Sequence, residues 1–354
     1  MSEPHFLRLP EIDIKSVVTA VGATRWRQLS RKRLLLTGGT GFVGKWLLAS
    51  VLEAAKVFEL GVEIVVVSRN PKAFLAGHPG LEKYSAVTWI EQDIRRLKVG
   101  DIKPCEFALH AATDVASKVS PSGMFETCVT GSQRVIDLVD DGGGGGRLLL
   151  LSSGAVYGSP KPNMLQFNEE WQGAPDPLLP SSAYGEGKRA SEILCAMAAE
   201  QRPGLNCAIA RCFAFVGPHL PLDKHFAIGN FILSALRGDD IVINGDGTPV
   251  RSYLYAMDLA HWLLVMLFEA PNARAYNVGC DVSISIEALA KRVNSVLGGQ
   301  GSVQIQLKPK AGVPASVYVP SIERVRDELG LSPSVNLDEA IRRTADWAKS
   351  CQNG

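Results

Sequence analysis

LLLTGGTGFVGKWLLASVLEAAKVF, residues 34–58, decides the fold. Three leucines lead into a glycine-rich turn, and an apolar run of helical character leads out of it. The turn contains G-x-G-x-x-G as Gly39, Gly41 and Gly44, and the wider G-x-x-G-x-x-G as Gly38, Gly41 and Gly44. Glycines placed this way permit a tight turn, let backbone approach a pyrophosphate and let helix lie close on strand, while the helix N-terminus offers N–H donors. Glycine spacing alone is a weak signal; a strand before it and a helix after it make it predict a dinucleotide site.

Further along, apolar and helical stretches alternate: EIVVVS (63–68), VTWIEQD (87–93), FALHAA (107–112), RVIDLV (134–139) and LLLLSS (148–153). The alternation predicts an α/β fold, a Rossmann-type doubly wound parallel sheet, and the length allows a smaller C-terminal lobe. Residues 1–31 are expected to form a helical leader, one amphipathic helix packing Val17, Val18, Val21 and Trp26. The dinucleotide-binding domain is expected over 32–215, with returning segments near 250–280, and the substrate-binding lobe mainly over 216–354. Glycines 142–146 read as a loop.

Composition excludes several function classes. With 37 basic and 36 acidic residues among 354, a net charge of +1 provides no global field for nucleic acid or a membrane surface, so neither is expected as a partner. The basic cluster RWRQLSRKR (25–33) stands just before a strand and reads as solvated. Seven cysteines include no C-x-x-C pair, and neither a signal peptide nor a span of ~20 apolar residues precedes them, which predicts a reducing, cytoplasmic compartment. The six histidines show no ligand spacing, so no metal is expected.

The end of the second strand bears on the choice of cofactor, NADP or NAD. A carboxylate there would hold the ribose hydroxyls of NAD and repel a 2′-phosphate. This chain has Ser68, Arg69, Asn70 and Pro71 instead, a hydroxyl and a planar guanidinium fork that favour NADP; the alternative is that Arg69 is a solvated loop residue and NAD binds. Asp93 reads equally as an acceptor for an adenine amino group or as a helix cap.

LLLLSSGAVYG (148–158) suits a strand covered on both faces, although periodicity does not exclude a buried helix. As a strand, it delivers Ser152 and Ser153 to the carboxyl edge, where open α/β sheets bind ligands. Downstream, PSSAYGEGKRASEILCAMAAE places Tyr184 and Lys188 four apart on one helical face, with Ser181 or Ser182 as the cap. A phenol titrates near pH ~10, and an ammonium one turn away favours the phenolate, bringing proton transfer toward neutral pH. Gly185 and Gly187, unfavourable by about 1 kcal/mol each in a helix, suggest close packing by a cofactor or a neighbouring strand.

Together, T-G-x-x-G-F-x-G (37–44), HAAT (110–113), S-S-x-x-V-Y-G (152–158), Y-x-x-x-K (184–188) and R-S-Y-L-Y-x-x-D-L-A (251–260) resemble an extended short-chain dehydrogenase/reductase of the NAD-dependent epimerase/dehydratase family, over roughly residues 32–350. The resemblance implies an enzyme acting on nucleotide-diphosphate sugars, with the smaller C-terminal lobe as a substrate-binding lobe. Its cofactor contacts would come from Gly38, Gly41, Phe42, Val43, Gly44, Ser68, Arg69, Asp93, Ala111, Ala112, Tyr184 and Lys188. Ser153 would bind the reacting oxygen, Tyr184 would move its proton, and Lys188 would tune the tyrosine and grip the ribose. Arg251 would pair with the diphosphate, with Asn230 and His225 on a sugar-facing loop; Asp258 would cap its own helix. The family's dimer contact would fall on 122–140 and 183–201, giving a homodimer.

Departures from the pattern narrow the reaction. The 4,6-dehydratases of the family carry Asp and Glu after the reactive Ser or Thr; here Gly154 and Ala155 carry no proton to transfer, so dehydration by that route is not expected. Cys128 stands where Asn is usual, and Ala214 and Val216 replace common Asn and Tyr. The expected reaction is hydride and proton transfer at one sugar carbon, C4 ketoreduction of a 4-keto sugar, with 4-epimerisation on NAD as the alternative. A non-catalytic cofactor-binding scaffold is the rival from another class, disfavoured by the intact Ser, Tyr and Lys.

Overall fold

The structure, a computed structural model, describes residues 7–113, 119–140, 143, 145–224, 226–310, 312 and 314–352. It divides into two compact units: Met1–Gly158 with Ala174–Cys212 and Ala260–Tyr276, and Ser159–Gly173 with Phe213–Leu259 and Asn277–Gly354. The first runs α1 (Glu11–Val21), α2 (Ala23–Trp26), β1 (Arg33–Thr37), α3 (Phe42–Val57), β2 (Glu63–Ser68), α4 (Pro71–Ala76) and β3 (Val87–Glu91). It continues through β4 (Phe107–His110), α5 (Pro121–Leu138), β5 (Gly146–Ser153), α6 (Ala183–Gln201) and β6 (Leu205–Cys212).

Then follow β7 (Phe215–Val216), α7 (Ala227–Arg237), β8 (Ile241–Ile243), β9 (Val250–Arg251), β10 (Leu254–Tyr255) and α8 (Ala256–Glu269). The remaining elements are β11 (Ala275–Val278), β12 (Ile284–Ser285), α9 (Ile286–Leu297), β13 (Val303–Ile305), β14 (Val317–Tyr318), α10 (Glu323–Leu329) and α11 (Leu337–Gln352).

A seven-stranded sheet in the order β3-β2-β1-β4-β5-β6-β11 forms the centre, and every pairing from β3 to β6 is parallel. The chain builds outward from β1 to β3, returns to β4 beside β1, and builds the other way. That reversal is the topological switch point, and ligands of open α/β sheets bind outside the strand ends flanking it. Leu148 to Leu151 of β5 are buried, as a strand covered on both faces requires. On one side, Leu35, Val65, Ala108, Leu148 and Ile209 pack with Val135, Ile136 and Leu138 of α5 and Cys195 and Ala198 of α6.

The leader is part of this first unit and is two helices rather than one. Gly22, at φ +85°, ends α1 and starts α2. Ile14, Val17, Val18 and Val21 are buried, and Trp26, also buried, donates its indole N–H to Val18 O at 3.0 Å and meets Phe268 edge-on. Within the basic cluster, Arg25 pairs with Glu269, Arg33 with Glu63 and Lys32 with Glu106.

The second unit is assembled from small sheets: β7 with β10, β12-β9-β14, and β8 with β13, with α7, α9 and α11 against one another. Asp258 does not cap its own helix. It lies in the first turn of α8, and its carboxylate accepts from the Ser334 N–H, the Ser334 hydroxyl and the Val335 N–H, fixing a loop 76 residues on. Among the described residues no helix is long and apolar enough to cross a membrane.

Candidate active site

The glycine turn closes the switch point by steric necessity. Gly38 sits at φ +70°, and a β-carbon there would lie 2.7 Å from the Ala111 carbonyl carbon and oxygen and 2.9 Å from Ala112 N. A side chain on Gly44 would run into the Gly38 carbonyl oxygen. The predicted alanine pair therefore forms the wall against which the turn lies. Thr37 ties the two strands together: its hydroxyl oxygen accepts from Ala112 N–H at 3.2 Å and lies 2.7 Å from His110 Nδ1. Burial, and then the charge of Lys188, lower the His110 pKa to about 3, so the ring is neutral.

The loop fits a dinucleotide. A β-carbon on Gly41 would meet only the Gly38 carbonyl oxygen, at 3.3 Å, so this side of the turn is open among the described residues. Gly41 is the N-cap of α3, and the N–H groups of Phe42, Val43 and Gly44 in its first turn have no acceptor within the helix. Ser68 ends β2 with its hydroxyl accepting from Asn70 N–H at 3.4 Å, and Asn70 caps α4. Arg69 between them is exposed. Asp93 takes the capping role: it accepts from Arg95 N–H and is bound twice more by the Arg95 guanidinium, which holds its carboxyl below the usual range.

At the end of β5, the two serines part ways. Ser152 donates to Glu192 Oε1 at 2.5 Å, whereas Ser153 accepts from Ala155 N–H at 3.1 Å as the chain turns through Gly154–Tyr157. Lys188, 3% exposed, donates to Leu151 O at 2.6 Å and to Thr113 Oγ1 at 2.9 Å, and its Nζ stands 6.0 Å from the Tyr184 ring centroid. Burial pushes the Lys188 pKa down. The strand end and the helix thus bring Ser153, Tyr184 and Lys188 to one unit, with the ammonium fixed by two donated bonds.

The helix differs from expectation in two respects. Neither Ser181 nor Ser182 caps it with a side chain; a 3₁₀ turn at Pro180–Ser182 leads straight into α6. Gly185 packs on the turn after β5 and Gly187 on a neighbouring helix. A β-carbon on Gly185 would come within 2.8 Å of Ala155 O and of Pro175 Cγ, and one on Gly187 within 2.9 Å of Cys128 Cβ on α5. The Cys128 thiol is buried, which pushes its pKa up.

Sequence reasoning missed Thr113, which holds Lys188, and the pair Glu192 and Arg211. Arg211 binds Glu192 through Nη2 at 2.7 Å and donates to Tyr157 Oη at 3.0 Å. A usable signal existed for Glu192, which continues the i, i+4 face of Tyr184 and Lys188.

The residues expected to face the sugar diphosphate belong to the second unit. Arg251 donates to Val250 O and Ser316 O and lies 5.9 Å from the Tyr318 ring centroid; burial lowers its pKa, and among the described residues no carboxylate pairs with it. Asn230 is half-buried on α7, and His225 lies outside the described residues. His219 packs on Trp347, and burial raises the Tyr253 pKa to about 12. No group of three or more His, Cys, Asp and Glu that could hold a metal occurs among the described residues.

Sheet order, switch point and glycine turn define a class, the Rossmann-type dinucleotide-binding enzymes. A profile of the NAD dependent epimerase/dehydratase family matches residues 34–279, and the chain belongs to that family. Its cofactor is accordingly a nicotinamide dinucleotide, NADP or NAD. UDP-glucuronic acid decarboxylase 1 of Xenopus tropicalis is 30% identical over 325 residues, 90% of this chain and 72% of the relative. UDP-glucose 4-epimerase of Thermotoga maritima, solved with UDP-glucose, shares the fold with a TM-score of 0.73 at 22% identity, covering 90% of this chain and 99% of that one. DesIV, a dTDP-glucose 4,6-dehydratase of Streptomyces venezuelae solved with NAD, gives 0.74 at 23% identity, covering 91% and 98%.

Proposed function

We propose that the chain transfers a hydride and a proton at C4 of a nucleotide-diphosphate sugar, in the direction of ketoreduction and with NADPH. One observation carries the reading: a buried lysine one turn after Tyr184 donates to Leu151 O, two residues before the strand-end Ser153, while Gly154 and Ala155 offer no group for elimination of water. When bound, the reduced nicotinamide supplies the hydride to the carbonyl carbon. Tyr184 gives its phenolic proton to the carbonyl oxygen, which Ser153 orients. Lys188 stabilises the resulting phenolate by its charge, and two of its three protons are already fixed on Thr113 and Leu151 O. Arg251 would take the diphosphate, for which a half-buried guanidinium with no carboxylate partner among the described residues is suited.

A second reading is 4-epimerisation on retained NAD, in which the same serine, tyrosine and lysine serve oxidation and re-reduction at C4. The decarboxylase relatives fit the same chemistry, because a C4 ketone makes a C5 carboxylate a β-keto acid that loses carbon dioxide readily. For assembly we propose a homodimer through α5 and α6, which pack together and leave Phe125, Ile193 and Met197 exposed on their outer faces.

The purified chain should be offered UDP-4-keto-6-deoxyglucose with NADPH, UDP-glucose without cofactor, and UDP-glucuronic acid. NADPH oxidation with the first probe supports ketoreduction. Cofactor-free formation of UDP-galactose from the second replaces it with epimerisation, and UDP-xylose from the third with decarboxylation.

A further inference from the structure

We infer that Glu192 and Arg211 are positioning residues for Ser153, a brace holding the catalytic strand end against the catalytic helix; this rests on the reading of Ser153 as the hydroxyl that orients the reacting oxygen. Tyr184, Lys188 and Glu192 follow one another at four-residue intervals along α6, so they share a face. From that face the Glu192 carboxylate reaches the residue before Ser153, accepting the Ser152 hydroxyl at 2.5 Å. Arg211, opposite Ser152 in the β5–β6 register, binds the same carboxylate through Nη2 at 2.7 Å and Nε at 3.1 Å. Its Nη1 then donates to Tyr157 Oη at 3.0 Å, and the guanidinium carbon lies 4.9 Å from that ring's centroid. Ser152 and Tyr157 bracket the turn that starts at Ser153, and both are buried.

Stability alone does not account for this arrangement. A buried ion pair is often no more stabilising than apolar side chains of similar volume, because desolvation offsets the attraction. What distinguishes this pair is where its other hydrogen bonds go: to Ser152, just before Ser153, and to Tyr157, at the end of the turn that follows it. β5 ends at Ser153, so strand pairing gives the turn beyond it no support. Since a displacement of ~1 Å at a reacting group can lower a rate by about 10²-fold, such a brace has a clear catalytic use.

The test is a double-mutant cycle on the full chain, with UDP-4-keto-6-deoxyglucose and NADPH as probe, or UDP-glucose or UDP-glucuronic acid if one of those turns over instead. Glu192→Gln and Ser152→Ala should each lower kcat about tenfold with KM for the cofactor nearly unchanged, and neither should lower it further in a Ser153→Ala background. If Glu192→Gln fails to fold, Ser152→Ala and Tyr157→Phe, each removing one hydrogen bond and keeping the ion pair, complete the cycle. Equal losses in both backgrounds, or melting-temperature losses with kcat intact, would overturn the brace while leaving the proposed function standing. A Ser153→Ala variant of undiminished kcat, or no turnover of any of the three probes, would overturn the reading beneath and the brace with it.

Discussion

The glycine corner after β1 and the serine-tyrosine-lysine corner after β5 lie on the same sheet edge, yet they are held by different physics. At the first, the constraints are short-range and steric: Gly38 is turned to φ +70° against the Ala111 backbone, and Gly44 lies under the Gly38 carbonyl. At the second, the constraints are polar and long in sequence: Lys188 is anchored to Thr113, 75 residues before it, and Ser152 to Glu192, 40 residues after it. Steric corners tolerate one residue type, whereas polar corners tolerate any set of side chains that closes the same hydrogen bonds. Substitution at the packed glycines of the first, Gly38 and Gly44, should therefore act by unfolding, and substitution at the second by slowing.

The largest effect is expected at Gly38. Gly38→Ala combines a positive φ with a contact near 2.7 Å to backbone that cannot swing aside, and should destabilise by about 3 kcal/mol or more, read by thermal unfolding. Gly41→Ala, at φ −82° with only the Gly38 oxygen nearby, should leave the melting temperature almost unchanged while weakening cofactor binding, if the open side of the turn takes the pyrophosphate as proposed. Equal melting temperatures for the two variants would erase the proposed contrast.

Next in size is the polar corner itself. Tyr184→Phe keeps the ring and removes the acid, so kcat should fall at least ~100-fold, about 2.7 kcal/mol, with nucleotide-sugar binding and melting temperature kept. A Phe variant of near-normal rate would remove Tyr184 from the mechanism.

The same contrast governs how much of the molecule is legible in its sequence. Strand and helix alternation and the glycine turn are consequences of local rules, so the doubly wound sheet, the turn and the alanine pair opposite it can be read from the chain alone. Tyr184 and Lys188 are legible as a helical pair, but the reason for Gly185 and Gly187 is not. The surfaces they face, Ala155 O and Cys128, come from 30 and 59 residues earlier and are brought near only by the packing of α6 on the turn after β5 and on α5. Ser152 and Ser153 are indistinguishable as letters; the side chain of Glu192 separates them. Asp258 misleads because a carboxylate near a helix start satisfies the capping rule, and nothing local points to Ser334.

A third, smaller effect links the two corners through His110. Its ring lies buried between Thr37 and the charge of Lys188, with a folded-state pKa near 3 against about 6.5 when unfolded. Because the folded pKa is the lower, the unfolded chain binds the additional proton between these values, so stability falls as the pH drops below about 6.5. At pH 5 the loss from this group should be about 2 kcal/mol relative to neutrality. Urea unfolding of the wild type and of His110→Asn at pH 7 and pH 5 isolates it. If both lose stability equally on acidification, the ring is not the acid-sensitive element.

The smallest expected effect is at Arg69, where the steric corner gives way to an exposed one. Asn70 caps α4 and its N–H is held by the Ser68 hydroxyl, so the chain leaves β2 in a fixed direction and presents Arg69 to solvent beyond the strand end. A guanidinium there suits a 2′-phosphate, but solvent and salt screen an exposed charge, so its influence is modest. The wild type is expected to prefer NADPH and to purify mostly free of cofactor, as an enzyme that exchanges its reductant at each turnover requires. Arg69→Asp reverses the charge and should lower the NADPH to NADH preference about tenfold, ~1.4 kcal/mol, with NADH affinity nearly constant. The shift should shrink as salt rises, which separates a charge effect from a change in loop shape. A wild type with no preference, and an Asp variant that changes nothing, would make Arg69 a solvated loop residue. Stoichiometric NAD retained through purification would go further, removing the case for an exchanging reductase and leaving epimerisation or decarboxylation, each of which oxidises and re-reduces C4 on its own NAD.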